Sequence, residues 1–293
     1  MQSFDYQKVY SLREALDAAS SREASVFLAG GTDLLVQIKQ GKKLPRHVID
    51  VKDIREMDAL TTSENTCSIG ALTTIRALET APAVEEKVPL LAKAAAKLGS
   101  IQVRHRATVG GNLCNASPSA DMAPALLALD ARAMIFGKQG QRNIELVDFF
   151  LGPGVTSLSD GELLARLEIP VTRARCGSVY YKVSTRNAMD LAFVGVAVLI
   201  EVDDRERIVK ARVALGAVAP TPIRVPQAEK LLEGSVVNRE AAQVSAELAA
   251  RYCDPISDIR ASAEYRREMV RALCEKGLLA AYHQAKSAAE GEN

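Results

Sequence analysis

The chain has 293 residues, of which 48% are hydrophobic and 25% charged, a balance that excludes a disordered protein and leaves room for two domains of roughly 100–200 residues each. Its formal net charge of +1 supplies no electrostatic reason to expect nucleic acid or an anionic membrane as partner. No apolar run approaches the roughly 18–20 residues of a membrane span, so a cytoplasmic protein is expected.

In chain order, Ser11 and Glu14 stand at capping-box spacing and predict a helix start there. Val26 to Leu28 reads as a strand, and the chain then passes through Ala29-Gly-Gly-Thr-Asp-Leu34 into a helix of about Asp33 to Lys39 that Gly41 stops. Thr32 or Asp33 supplies the expected cap. His47 to Val51 returns as a strand and closes a first αβ unit of about residues 1–55. Cys67 to Ala71 predicts another strand, with helices from Thr73 or Thr74 to Glu79 and from Pro89 to Leu98. Ser100 to Arg106 is a basic link into a second paired-glycine stretch, Ala107-Thr-Val-Gly-Gly-Asn112. Asn112, Asn115, Ser117 and Ser119 follow with short polar side chains, and Asp121 stands at the N-cap position of the apolar run Met122 to Leu129. A hairpin is expected across Gly137 to Gly140, a loop at Phe149 to Gly154, and a strand from Glu162 to Pro170.

Val171 to Gly177 is the expected boundary. It divides a first domain of residues 1–173, with subdomains of about 1–55 and 56–173, from a second of residues 174–293. The second opens with Ser178 to Ser184, whose period of two puts Tyr180 and Lys182 on one face and Tyr181 and Val183 on the other. Leu191 to Glu201 and Ile208 to Val218 complete a three-stranded antiparallel meander, and helices follow at about 226–232, 239–251 and 262–286.

Glycine pairs let a backbone approach a ligand without an intervening Cβ, and successive amides in such a turn form a concave anion site. Two strand-turn-helix copies with polar flanks point to one dinucleotide or similar diphosphate. Metal chemistry has no support on this chain: the five cysteines, Cys67, Cys114, Cys176, Cys253 and Cys274, form no C-x-x-C pair, and there are only three histidines. With no G-x-G-x-x-G, P-loop or nucleophile elbow either, spacing alone identifies no catalytic residue.

Ala29-Gly-Gly-Thr-Asp-Leu34, Ala107-Thr-Val-Gly-Gly-Asn112 and Ala116-Ser-Pro-Ser-Ala-Asp121 together resemble the FAD-binding subunit of the molybdenum hydroxylases. That family includes the medium subunit of carbon monoxide dehydrogenase and the flavin domain of xanthine dehydrogenase. Phe150-Leu-Gly-Pro-Gly154, Glu162-Leu-Leu164, Glu168-Ile-Pro170, Tyr180-Tyr-Lys182 and Ala214-Leu-Gly-Ala-Val-Ala-Pro-Thr-Pro222 carry the resemblance over almost the whole chain.

The resemblance implies an α+β fold: a two-part FAD-binding domain of the PCMH (vanillyl-alcohol-oxidase-like) type, then an antiparallel sheet with helices. It assigns the FAD diphosphate to backbone amides of Leu28, Ala29, Gly30, Gly31, Thr32, Asp33 and Leu34 and of Ala107, Thr108, Gly110, Gly111 and Asn112. Ser117 completes the site, and Asp121 hydrogen-bonds the ribityl or adenosine side. Leu164 lies beside the flavin ring, Lys182 near its carbonyl edge, and Tyr180 or Tyr181 stacks on it or shields it. The implied partners are a large molybdopterin subunit and a small [2Fe-2S] subunit, assembled as a dimer of heterotrimers, with this chain passing electrons to a final acceptor. The chain carries only part of the family's NAD-associated pattern at Thr185 to Asp190, which weighs against NAD. The alternative is a stand-alone FAD-dependent oxidoreductase acting on its own substrate.

Overall fold

The computed structural model describes residues 3–21, 23–172, 175–186 and 188–290. The expected division at Arg173 and Ala174 therefore lies outside the described residues, as does Asn187 of the loop before the second meander strand.

The chain opens with β1 (Asp5–Lys8), α1 (Leu12–Ser21), β2 (Ser25–Leu28), α2 (Leu34–Lys39) and β3 (His47–Asp50). The strands form a parallel sheet in the order β1-β3-β2. Ser11 Oγ accepts the Glu14 amide at 3.2 Å and the Glu14 carboxylate accepts the Tyr10 amide, one residue before the cap, at 2.8 Å, so a near relative of the capping box fixes the start of α1. At the end of α2 the amides of Gly41 and Lys42 return to the carbonyls of Ile38 and Gln37 at 3.1 and 2.9 Å. Gly41 has φ +71, the left-handed turn that such a C-terminal motif requires.

Next come β4 (Leu60–Thr62), β5 (Thr66–Gly70), α3 (Ile75–Thr80), α4 (Pro82–Lys87), α5 (Pro89–Ala95), α6 (Ile101–Arg104), α7 (Val109–Cys114), α8 (Met122–Ala128), β6 (Arg132–Gly137), β7 (Gly140–Glu145), β8 (Phe150–Gly152), β9 (Val155–Thr156) and β10 (Leu163–Pro170). Strand β10 lies at the centre of a five-stranded sheet, β4-β5-β10-β6-β7. Its register against β6 shifts between Leu164 and Arg166, an irregularity that re-aims neighbouring side chains. Every residue of α8 is buried, as its uninterrupted apolar sequence requires.

The last part consists of β11 (Cys176–Val183), β12 (Val194–Val202), β13 (Ile208–Gly216), β14 (Ile223–Arg224), α9 (Pro226–Lys230), α10 (Arg239–Arg251) and α11 (Ala263–Glu290). Its sheet runs in the order β11-β12-β13-β14. Tyr180, Ala197, Leu199 and Ala214 on one face join the core that holds α8, whereas Val179, Val196, Val198, Val213 and Leu215 on the other join the core that holds α10 and α11. Strand β12 is therefore buried at every residue, which explains its apolar run without alternation. Asp130, just past α8, ties this sheet down: Arg224 reaches it at 2.7 Å, Lys210 at 3.0 Å and Arg212 at 3.1 Å.

Some expectations are corrected. The last sheet has four strands and not three, because Ile223 and Arg224 pair with β13 after the prolines. The basic link at Ser100 to Arg106 contains α6, whose first turn is capped by Ser100 Oγ accepting the Val103 amide at 3.3 Å. Phe149 to Gly154 belongs mostly to the β8–β9 hairpin. Neither Asp33 nor Asp121 caps a helix through its side chain. An N-cap needs extended backbone, and these residues have φ/ψ of −101/−50° and −62/−31°.

Candidate functional site

The first glycine pair lies between β2 and α2. Gly31 has φ +76, a conformation that side chains disfavour. Helical bonding begins when the Leu35 amide reaches the Gly31 carbonyl at 3.1 Å. Among the described residues, the amides of Gly30, Gly31, Thr32, Asp33 and Leu34 make no hydrogen bond within the chain. A row of uncommitted donors at the start of a helix accepts an anion.

The second pair is built differently. Thr108 is the N-cap of α7, its Oγ1 accepting the Gly111 amide at 3.1 Å. The amides of Val109, Gly110 and Asn112 go to the carbonyls of Thr73, Ala71 and Thr108 at 3.1, 2.8 and 3.0 Å. These donors are engaged, so the amide role expected for this stretch is confined to Thr108, whose amide makes no bond among the described residues. Gly110 serves close packing instead: a Cβ there would stand 2.6 Å from the Ala71 Cβ and 2.7 Å from its carbonyl oxygen.

The two loops lie against each other. A Cβ on Gly30 would stand 2.1 Å from the Arg106 carbonyl oxygen, so only glycine lets the loops meet at this distance. Between and beside them opens a cavity of about 500 Å³, within the range of small-molecule sites. Leu98, Val103, Leu158, Leu163 and Leu164 are among its apolar lining residues, and Gln37, Lys43, Cys114 and Asn115 among the others. Gln37 Nε2 donates to Asn115 Oδ1 at 2.9 Å, joining α2 to the end of α7.

Most residues singled out in the sequence meet here. Ala29, Gly30, Gly31, Thr32, Asp33, Leu34, Ala107, Thr108, Gly110, Gly111, Asn112, Ser117, Asp121 and Leu164 line the one cavity. Leu28 does not: its side chain is buried with Ile38 and Val48. Lys182 and Tyr180 stand behind Asp121 and off the cavity wall. Lys182 Nζ donates to Asp121 Oδ2 at 2.8 Å and to the Lys97 carbonyl at 3.1 Å, and the Tyr180 hydroxyl donates to Asp121 Oδ1 at 3.2 Å. Tyr181 points the other way, against Gly277 and within 5.3 Å of the Lys276 ammonium. Neither tyrosine is placed to stack in the cavity.

Burial raises the Asp121 pKa, against the pull of the Lys182 charge and the hydroxyl of Tyr180. Burial, then the Asp121 charge, raises that of Tyr180 well above the usual phenol value. Tyr180 thus stays a neutral donor, and Asp121 presents to the cavity a carboxylate already oriented from behind.

Sequence reading missed Gln37, Lys43, Leu163 and Glu162 as wall residues. Leu163 adjoins Leu164 at the register shift of β10, where strict alternation fails. Gln37 sits one turn beyond Asp33 on α2, a helix-face signal that was available. Glu162 is held in the wall by Arg142 at 2.7 Å.

Residues 2–172 match the model of the FAD binding domain in molybdopterin dehydrogenase, and residues 179–281 that of the CO dehydrogenase flavoprotein C-terminal domain. The chain is 34% identical to the glyceraldehyde dehydrogenase medium chain of Sulfolobus acidocaldarius, over 93% of this chain and 96% of that one. It is 31% identical to the carbon monoxide dehydrogenase medium chain of Hydrogenophaga pseudoflava, over 95% and 97%. A solved structure of carbon monoxide dehydrogenase from Hydrogenophaga pseudoflava, lacking the Mo-pyranopterin moiety, is similar with a TM-score of 0.93, at 32% identity and covering 97% of this chain and 98% of that one. Quinoline 2-oxidoreductase from Pseudomonas putida 86 gives a TM-score of 0.91 at 30% identity, covering 97% and 98%.

Proposed function

The chain belongs to the family of FAD-binding flavoprotein subunits of molybdenum-dependent dehydrogenases, and on that premise we propose that it is an electron relay, accepting electrons from a [2Fe-2S] subunit and passing them to a final acceptor. It is an oxidoreductase subunit, and FAD is its cofactor. Bound FAD supplies reversible acceptance of electrons from partners that deliver them singly.

The uncommitted amides from Gly30 to Leu34 carry the assignment. They hold the diphosphate as a fixed array of donors, with the Thr108 amide on the facing loop. Asp121 accepts from sugar hydroxyls, since a carboxylate set against the diphosphate would repel it. Ser117 lies on the same wall as a further hydrogen-bonding group. Leu163 and Leu164, apolar residues of the cavity wall, would lie beside the ring. Lys182 and Tyr180 act through Asp121, fixing the carboxylate so that it loses little freedom when it binds.

The relatives are named as medium chains and FAD-binding subunits of larger enzymes. The full assembly has a large molybdopterin subunit that oxidises the substrate, a small [2Fe-2S] subunit that delivers the electrons, and this chain, paired as a dimer of heterotrimers. No helix among the described residues is long and apolar enough to cross a membrane. The relay role is tested by mixing the purified chain with its co-purifying partners. Dithionite bleaches the flavin of the isolated chain, whereas the substrate of the complex bleaches it only with the partners present. Reduction by that substrate in the isolated chain points instead to a self-sufficient oxidoreductase.

A further inference from the structure

Arg266, on α11, is 4% exposed and is not among the residues that line the cavity. Its guanidinium lies where β12 and β13 stop pairing, next to the last matched pair, Gly195 opposite Gly216. Nη1 donates to the carbonyls of Phe193 and Ala217 at 3.2 and 3.0 Å, and so bridges the two strand ends. Nη2 donates to Asp258 Oδ1 at 2.8 Å, which pairs the buried charge.

Both carbonyls belong to stretches that lead to the cavity. Ala217 has φ +63, a left-handed backbone that alanine keeps only where its surroundings hold it. Here Arg266 takes its carbonyl, and its amide donates to the Pro118 carbonyl at 2.7 Å. Ser117, Ser119, Ala120 and Asp121, on either side of Pro118, line the cavity. Phe193 stands shortly after Met189, Asp190 and Leu191, which also line it, and the Phe193 amide donates to the Val183 carbonyl at 2.9 Å.

We propose that Arg266 is a positioning residue for the flavin: through Ala217 and Pro118 it sets residues 117–121 of the wall, and through Phe193 it sets residues 189–191, an inference that rests on the cofactor reading above. It acts from outside the cavity. Two pieces of wall, far apart in sequence, are held in one fixed relation before FAD arrives, so that binding costs little ordering. The planar fork suits the task, because one guanidinium reaches two carbonyls and a carboxylate at once and stays charged when buried, whereas an ammonium is a single point charge. The same task explains the turn within Ala214-Leu-Gly-Ala-Val-Ala-Pro-Thr-Pro222. A Cβ on Gly216 would stand 2.8 Å from Pro124 Cγ, and its absence lets Ala217 come close enough to reach Pro118.

The test compares full chains, freed of flavin, in three measurements: FAD affinity by quenching of flavin fluorescence, the thermal midpoint without flavin, and the visible circular dichroism of FAD at saturation, which reports the asymmetry of the ring's surroundings. Val270→Ala truncates a fully buried residue on the same helix, in the core away from the wall. It controls for lost stability alone, and is expected to lower the midpoint while leaving FAD affinity and dichroism unchanged well below that midpoint. Arg266→Met is expected to weaken FAD about tenfold and to change the dichroism, and Arg266→Lys to recover part of both. Should Arg266→Met fail to fold, Arg266→Lys and Asp258→Asn carry the comparison, each with a smaller effect of the same kind. Arg266 variants that lower the midpoint but bind FAD with the affinity and dichroism of the Val270→Ala chain overturn the proposal and leave Arg266 a stabilising residue only. Failure of the unaltered chain to take up FAD overturns the cofactor reading itself, and is thereby distinct from a failure of Arg266 alone.

Discussion

Gly30 rests against the carbonyl of Arg106, where a Cβ would meet the oxygen at 2.1 Å. The relationship makes the cavity a product of two distant stretches of chain. It also changes the reason for the glycines: at Gly30 and Gly110 the space is taken by protein backbone and side chain before any ligand arrives.

Gly30→Ala is therefore expected to push the loops apart, destabilising the chain by about 1–3 kcal/mol as overpacking does and abolishing stoichiometric FAD. Gly110→Ala acts in the same way against Ala71. Gly111→Ala is milder, because its Cβ meets only Thr108 Oγ1 at 2.9 Å. There a gain in helix propensity of about 1 kcal/mol offsets a weakened cap of similar size. Denaturant unfolding and FAD titration of the three variants should rank them in that order.

Lys182→Met should leave Asp121 buried without its cation, a change that costs about 3–5 kcal/mol when one partner of a buried pair is removed. Asp121→Asn with Lys182→Met should cost less than the sum of the two single changes. A double-mutant cycle by denaturant unfolding measures this coupling, and additive effects would show that the 2.8 Å pair does not act as a unit.

Asp130 combines a left-handed backbone, φ +51, with three basic partners. Burial works against its charge, and Lys210, Arg212 and Arg224 outweigh burial, holding its carboxyl below the usual range. Asp130→Ala loses both the charge and the side chain that tolerates this backbone, whereas Asp130→Asn loses only the charge. The thermal midpoint should fall for both, and further for alanine.

Glu162 gives a pH dependence. Its hydrogen bond from Arg142, against the opposing effect of burial, lowers its pKa from 4.5 to about 2. The folded chain binds this proton more weakly than the unfolded one, so the stabilisation is complete above about pH 4.5 and is lost as the pH falls toward 2. Unfolding followed across that window should show a smaller acid-induced loss in Glu162→Gln than in the unaltered chain. Equal losses would assign the acid sensitivity to other carboxylates.

Strands β2, β3, β5, β6, β7 and β10 to β13, the turn at Gly41 and both glycine pairs are legible because their signals are local: short apolar or alternating runs, a C-terminal glycine and Gly-Gly dipeptides, whereas β1, β4, β8, β9 and β14 depend on the partners they pair with. The convergence of Gly30, Thr108 and Asp121 on one cavity followed from matching motifs. What escaped was set by tertiary contacts. The amides of Gly110 and Gly111 read as free donors until Ala71 and Thr108 Oγ1 were seen to take them. Asp121 read as a helix cap because Lys182 and Tyr180, which claim its oxygens, arrive from β11 some 60 residues later. Arg266 carried no motif, and only the bonds it makes across two strand ends set it apart.

The most direct measurement is an FAD titration of the flavin-free chain beside its Gly30→Val variant, followed by visible absorbance and bleaching with dithionite. The account predicts one tightly held, dithionite-bleached FAD per unaltered chain and none in the variant. A chain that takes up no FAD, or a Gly30→Val variant that binds it as tightly as the original, would contradict it.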